Sequence, residues 1–157
     1  MARNNKIVAR AALTGIIASL RAGHKKIVFT NGCFDLLHLG HVQLFEKAKS
    51  LGDVLVVAVN SDSSLRRLKG PKRPLVRQAD RCNVLAALES VDFVTVFGED
   101  TPENIIRELK PDVLVKGGDY NINQIVGRQY VRKVVRFPIV KGRSTSALIK
   151  KIVESYA

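Results

Sequence analysis

Two hydrophobic patterns divide the chain. Over residues 7–22, Ile7, Ala11, Ile16, Ile17 and Leu20 recur at near-helical spacing, which predicts a short N-terminal helix. From Lys26 the pattern changes to short runs rich in Val and Ile: KIVFTNG (26–32), DVLVVAVN (53–60), DFVTVFG (92–98), DVLVKGG (112–118) and KVVRFPIV (133–140). Runs this uniformly apolar fit strands buried on both faces of a parallel sheet. Helical patterns separate them at 39–51, 78–90, 102–109, 121–131 and 144–155. Strands alternating with helices predict a doubly wound α/β domain of about five parallel strands, with helices on both faces and right-handed crossovers. One stretch, residues 60–77 (NSDSSLRRLKGPKRPLVR), reads as a long irregular basic segment. A loop of that length inside a compact domain is more often functional than idle.

The composition narrows the class without fixing it. At 157 residues, 46% hydrophobic and 25% charged, the chain suits one soluble domain, read as a helical extension over 1–24 and a core over 25–157. No apolar run approaches the roughly 20 residues that a membrane helix needs, so no membrane partner is expected. The charged, amphipathic start lacks the pattern of a secretory signal. Only Cys33 and Cys82 are present, which excludes a disulfide scaffold and makes a reducing cytoplasm the expected location. The net charge of +12 attracts acidic partners, either nucleic acid or a polyphosphate substrate. Low aromatic content (6%) and the lack of an aromatic RNA-binding sheet motif count against nucleic acid.

In doubly wound folds, ligands sit beyond the carboxyl ends of the strands. The stretch from Gly32 to His41 lies there, between the first strand and the next helix, and its glycines allow a ligand close to the backbone. The free N–H groups and dipole of a helix start favour an anion. His38 and His41, three residues apart, share one helical face and can both turn towards it. Imidazole N–H groups donate to phosphate oxygens and stabilise charge that builds up in a transition state. Asp35, just before that helix, reads as a cap or turn residue rather than a base. Cys33 and the two histidines also offer three zinc ligands, but the usual HExxH and CxxC spacings are missing and no metal site is expected. Near the other end, Gly142 followed by Ser144, Thr145 and Ser146 before an apolar-periodic run marks a second helix start at the same sheet edge. These hydroxyls read either as simple caps or, with the first helix start, as a cradle for polyphosphate. Lys116, two glycines and Asp119 in LVKGGDY, and Arg66, Arg67 and Lys69 in the basic segment, fall at that edge too. A GxxxxGK[ST] loop and a GxGxxG helix opening are both absent, which disfavours P-loop chemistry and ordinary dinucleotide binding.

GCFDLLHLGH after a strand, with GRSTSALI near the end, resembles the HxGH and triple-hydroxyl motifs of the HxGH nucleotidyltransferase superfamily, in its cytidylyltransferase-like branch. Four further stretches, at 57–75, 80–94, 99–120 and 142–152, are similar to the D-glycero-β-D-manno-heptose 1-phosphate adenylyltransferases, and the likeness spans about residues 25–153. The resemblance implies a Rossmann-like nucleotidyltransferase fold and transfer of AMP from ATP, with Mg²⁺, to a sugar 1-phosphate for lipopolysaccharide core assembly. It also implies a cytoplasmic homodimer that works on small molecules. The length fits a stand-alone form, without the sugar-kinase domain to which such units are often fused.

By position, the resemblance makes His38 and His41 triphosphate contacts, with Lys49 a further catalytic candidate. Gly32, Cys33, Phe34, Gly40, Arg81, Lys116, Gly118 and Asp119 fall on the nucleotide side, and Ser144, Thr145 and Ser146 hold phosphate. Asn60 and Asp62, at the end of the second strand, are expected on the sugar-phosphate side from that position. The lead-in to the hydroxyls is IVKG rather than the RTEG of many cytidylyltransferases, and the segment 121–136 is unusually basic. Cytidylyltransferases and FMN adenylyltransferases of the same superfamily are the alternatives, with a basic nucleic-acid-binding module a more distant one.

Overall fold

The structure, a computed structural model, describes residues 3–118, 121–138 and 144–156. Five strands, β1 (Ile27–Gly32), β2 (Val54–Asn60), β3 (Phe93–Phe97), β4 (Val113–Gly117) and β5 (Lys133–Phe137), form one sheet in the order β3-β2-β1-β4-β5. All its pairings are parallel, as the apolar runs predict. Every residue of β2 is buried, because helices cover both faces of the central strands. Side chains alternate along each strand, so each strand feeds two cores.

Val28, Leu55, Val57, Val94 and Val115 pack on one face against α3 (Leu39–Lys49) and α5 (Gln78–Ala86), through Phe45, Ala48, Cys82 and Leu85. Ile27, Phe29, Val56, Ala58 and Leu114 pack on the other against α2 (Arg10–Ala22) and α6 (Glu103–Leu109), through Leu13, Ile17, Ile105 and Ile106. A four-residue helix, α1 (Arg3–Lys6), precedes α2, and the chain between them pairs with β3 through a parallel bridge from Ile7 to Val94. That bridge explains why the first long helix starts at Arg10 rather than at residue 7. No helix among the described residues is long and apolar enough to cross a membrane.

Two segments depart from expectation. Within the stretch read as irregular, Asp62–Lys69 forms a helix, α4. The Ser61 side chain caps it by accepting from Ser64 N–H, Asp62 lies in its first turn, Arg66, Arg67 and Lys69 lie in its last, and Gly70 at φ 96° ends it. Residues 121–131, expected to be helical, form two 3₁₀ turns, Ile122–Gln124 and Arg128–Tyr130. Gly127 separates them at φ 87°, so close to α6 that a Cβ there would stand 2.5 Å from Ile106 Cδ1. A continuous helix cannot pass through that left-handed contact. The last helix, α7 (Thr145–Tyr156), follows β5.

The chain runs outward from β1 to β2 and β3, then crosses back to place β4 on the other side of β1. The connections leaving β1 and β4 therefore diverge, and a crevice opens between them at the carboxyl edge.

Candidate active site

A cavity of about 670 Å³ occupies that crevice. Its lining comes from the ends of β1, β2, β4 and β5 and from the first residues of α3 and α7. The walls begin at Gly32, where a Cβ would lie 2.9 Å from the Phe34 ring. Phe34 follows with φ 47°, a left-handed turn that brings its ring edge-on to His41 at 5.3 Å and to Phe45 at 5.1 Å. Gly32 is therefore the residue that lets this aromatic seat form. Gly32→Ala is expected to destabilise the protein by about 1–3 kcal/mol through overpacking, read from a urea unfolding midpoint. An unchanged midpoint would show that the ring has room to move.

His38 caps α3 in an extended conformation, and its ring stacks on that of His41 with centroids 3.9 Å apart and planes 25° apart. On both rings the buried nitrogen is Nδ1, which has no hydrogen-bond partner among the described residues; Nε2 is left at the accessible edge. Burial lowers the pKa of His38. Burial, helped by the neighbouring His38, pushes His41 down to about 4. The pair is thus neutral near pH 7, which suits stacked rings, since two cations at that distance would repel. A neutral imidazole still donates one N–H to an anion.

The depressed pKa has a stability consequence. Over the pH window from about 6.5 to about 4, the unfolded chain binds a proton that folded His41 refuses, so this contribution to stability is lost as pH falls. Wild type is expected to lose up to about 3 kcal/mol more than His41→Gln across that window, measured by urea unfolding at several pH values. Parallel profiles for the two proteins would contradict the depressed pKa.

The floor of the cavity carries Cys33, whose thiol burial pushes up, so that it stays protonated and donates to Asn60 Oδ1 at 3.9 Å. Asn60 ends β2 and is itself buried, donating to Ser64 Oγ at 2.9 Å. Across β1, Lys116 Nζ donates to Asn31 Oδ1 at 3.4 Å, and burial lowers its pKa. Gly40 and Gly118 complete this part of the lining, Gly118 at φ 124°. On α7, Ser144 Oγ accepts from Ala147 N–H at 3.1 Å, which is capping, yet Ser144, Thr145 and Ser146 all line the cavity. Thr145 Oγ1 donates to the Leu36 carbonyl at 3.3 Å, tying the start of α7 to the loop that carries the histidines.

Three expected site residues stand elsewhere. Lys49 lies at the far end of α3, where Nζ binds Asp92 Oδ2 and the Asp53 carbonyl, both at 2.6 Å, beside the amino ends of β2 and β3. Eight residues of helix carry it about 12 Å along the axis from His41, a displacement already implied by the helix predicted over 39–51; the candidate came from the resemblance and not from spacing. Arg81 is 1% exposed and does not line the cavity. It donates to the carbonyls of Cys33, Asn60 and Val76 and to Asp62 Oδ1, so it holds the cavity wall from behind. Asp62 is turned into that same pair and is also outside the lining. Asp119, with Lys141, Gly142 and Arg143, lies outside the described residues.

Sequence reasoning missed Arg73, a lining residue of the basic segment, and its pairing with Asp35, which reads from sequence as a cap or turn residue. The only signal was the segment's length and charge. Asp35 is buried and accepts from Arg73 Nε and from the N–H groups of Leu75 and Val76. Burial alone would raise its pKa, but these donors outweigh that and hold it below the ordinary carboxylate range. The other lining carboxylate, Asp100, is bound by Arg67 at 2.7 Å. With Lys69, Arg73 and Lys116 also in the lining, the cavity is electropositive. Among the described residues no cluster of three His, Cys, Asp or Glu side chains is placed to hold a metal.

A cytidylyltransferase-like family model matches residues 29–153. Bifunctional protein HldE of Geobacter sulfurreducens is 55% identical over 148 residues, which cover 92% of this chain and 30% of that protein. Bifunctional protein HldE of Helicobacter pylori is 50% identical over 144 residues, covering 92% and 31%. The chain thus spans about a third of the length of these relatives. Among solved structures, the lipopolysaccharide core biosynthesis protein of Thermoplasma volcanium superposes with a TM-score of 0.62 at 31% identity, over 72% of this chain and 96% of that one. Pantoate-beta-alanine ligase of Francisella tularensis superposes with a TM-score of 0.63 over 92% of this chain and 72% of that one; at 19% identity it shares the fold alone. The family match takes in the stacked histidines and the hydroxyls of α7 alike, and the chain belongs to the cytidylyltransferase-like family.

Proposed function

We propose that this chain is an adenylyltransferase that moves AMP from ATP to a sugar 1-phosphate, D-glycero-β-D-manno-heptose 1-phosphate, releasing pyrophosphate and ADP-heptose for lipopolysaccharide core assembly. The observation that carries the reading is the pairing of two helix starts at one crevice. Neutral stacked histidines stand at the start of α3, three hydroxyls stand at the start of α7, and Thr145 joins the two. Two helix N-termini and three cationic side chains around one cavity suit a triphosphate far better than a neutral ligand. The resemblance to heptose 1-phosphate adenylyltransferases supplies the acceptor, and the 31% identical lipopolysaccharide core biosynthesis protein supports the biosynthetic setting.

The chemistry is a direct displacement. An oxygen of the sugar phosphate attacks the α-phosphorus of ATP, the bond from that phosphorus to the bridging oxygen breaks, and pyrophosphate leaves with the electron pair. The attacking oxygen is already anionic, so no general base is required. Catalysis then consists of positioning and charge stabilisation. His38 and His41 donate to phosphate oxygens through the edge that Nδ1 leaves open, and the α7 hydroxyls and N–H groups hold the far phosphates. Mg²⁺ enters as part of the substrate, MgATP. The proposed working form is a cytoplasmic homodimer, with residues 1–157 making one nucleotidyltransferase domain. Its positive charge draws anionic small molecules to the crevice rather than serving nucleic acid.

The test is a two-by-two assay, ATP or CTP with heptose 1-phosphate or glycerol 3-phosphate, scored by pyrophosphate release and by mass spectrometry of the product. ADP-heptose from the first pair alone is expected. CDP-glycerol formation, or no product from ATP and heptose 1-phosphate, would reject the assignment.

A further inference from the structure

The guanidinium of Arg73 is held in an unusual way. Its side chain is only 18% exposed, and its partner Asp35 only 1%. Nε alone engages the Asp35 carboxylate, and among the described residues neither Nη nitrogen has a partner. A guanidinium this buried, bound by one N–H and lining an electropositive cavity, leaves its forked end to a ligand. Planar forks of this kind match a phosphate with two parallel N–H···O bonds. Asp35 meanwhile accepts the Leu75 and Val76 N–H groups, so one buried carboxylate fixes both the arginine and the backbone that presents it.

The side of the cavity decides which phosphate is meant. Arg73 and Lys69 come from the connection after β2 and stand with Asn60, whereas Lys116 ends β4 and the hydroxyls of α7 follow β5. β2 and β4 flank β1 on opposite sides. An in-line displacement puts the attacking and leaving oxygens on opposite sides of the reacting phosphorus. With the leaving pyrophosphate among the α7 hydroxyls, the attacker must approach from the β2 side.

We propose that Arg73 anchors the phosphate of the acceptor, and that Asp35 is the positioning residue that aims it. The inference rests on the transferase reading for the identity of the acceptor, but the phosphate-binding fork can be tested apart from turnover. Wild type, Arg73→Lys, Arg73→Ala and Asp35→Asn are titrated calorimetrically with mannose 1-phosphate and, separately, with ATP. Arg73→Lys keeps a cation beside Asp35 and is expected to melt near wild type, so it stays informative if Arg73→Ala fails to fold. The expected result is at least a tenfold loss of sugar-phosphate affinity in Arg73→Lys, the same direction of change in Asp35→Asn, and ATP affinity within twofold of wild type throughout. Unchanged sugar-phosphate affinity, absence of mannose 1-phosphate binding to wild type, or a loss falling equally or mainly on ATP would each overturn the anchor. ADP-heptose formation by wild type is scored in parallel. If that product is absent while Arg73-dependent sugar-phosphate binding persists, the transferase reading falls and the anchor stands. If it forms and Arg73→Lys keeps the wild-type KM for the acceptor, the anchor falls and the reading stands.

Discussion

Replacing His41 with alanine is expected to lower kcat about a hundredfold, equivalent to ~3 kcal/mol of transition-state stabilisation, while the fold remains intact. His41 lies in the first turn of α3, stacked on His38 and edge-on to Phe34, so its ring is held in one orientation before any ligand arrives. Such preorganisation is what makes a donor useful to charge that develops only in the transition state. Because burial keeps the ring neutral, its contribution is a hydrogen bond rather than a full charge. The lost ring contacts cost the fold about 0.5–1.5 kcal/mol each, and removing a buried nitrogen with no partner offsets part of that. Turnover at saturating ATP and acceptor, with far-UV circular dichroism as the fold control, measures both sides. Near-wild-type kcat would remove His41 from the mechanism. His41→Asn, which keeps a neutral donor on a shorter side chain, is expected to fall between the two.

The parts of this molecule that were legible in the sequence share a physical cause. A strand covered on both faces must be apolar throughout, so VLVVAVN could hardly be anything but the buried β2. The location of His38 and His41 followed from that, because the end of a parallel strand is where the ligand edge must be. What the sequence concealed depends on direction and depth. The start of α3 was placed at the ligand edge by the same topology, whereas Lys49 was carried over by resemblance and stands at the other end of that helix, paired with Asp92. The α4 helix has only Ser64 and Leu65 buried, too short an apolar stripe to show against its charged residues. The basic connection after β2 announced itself by length and charge, yet nothing local distinguishes Arg73, aimed into the cavity by a carboxylate 38 positions away, from Arg67, tied to exposed Asp100. Long-range pairs of this kind are set by tertiary packing, and one sequence alone does not disclose them.

Arg81 makes the same point with the largest expected effect on stability. Arg81→Met is expected to destabilise the protein by about 3–5 kcal/mol, the usual range for breaking a buried ion pair by removing one partner. The side chain is 1% exposed, and its four hydrogen bonds join the loop after β1, the end of β2, the start of α4 and the chain leading into α5. Methionine fills much of the volume but leaves the carbonyls of Cys33, Asn60 and Val76 without that donor, and it leaves the Asp62 carboxylate without its cation. Lysine restores the charge but has no planar fork, so Arg81→Lys should recover only part of the loss. For a chain of this size each kcal/mol lowers Tm by about 2–4 °C, which puts the methionine variant roughly 6–20 °C below wild type. The measurement also separates two roles. A residue that bound nucleotide directly would, when removed, raise the KM for ATP and leave the ligand-free Tm almost unmoved. A residue that holds the wall from behind lowers the ligand-free Tm first, and affects substrate only as Cys33 and Asn60 lose their register. An unshifted melt with a large rise in KM for ATP would return Arg81 to the nucleotide side of the cavity.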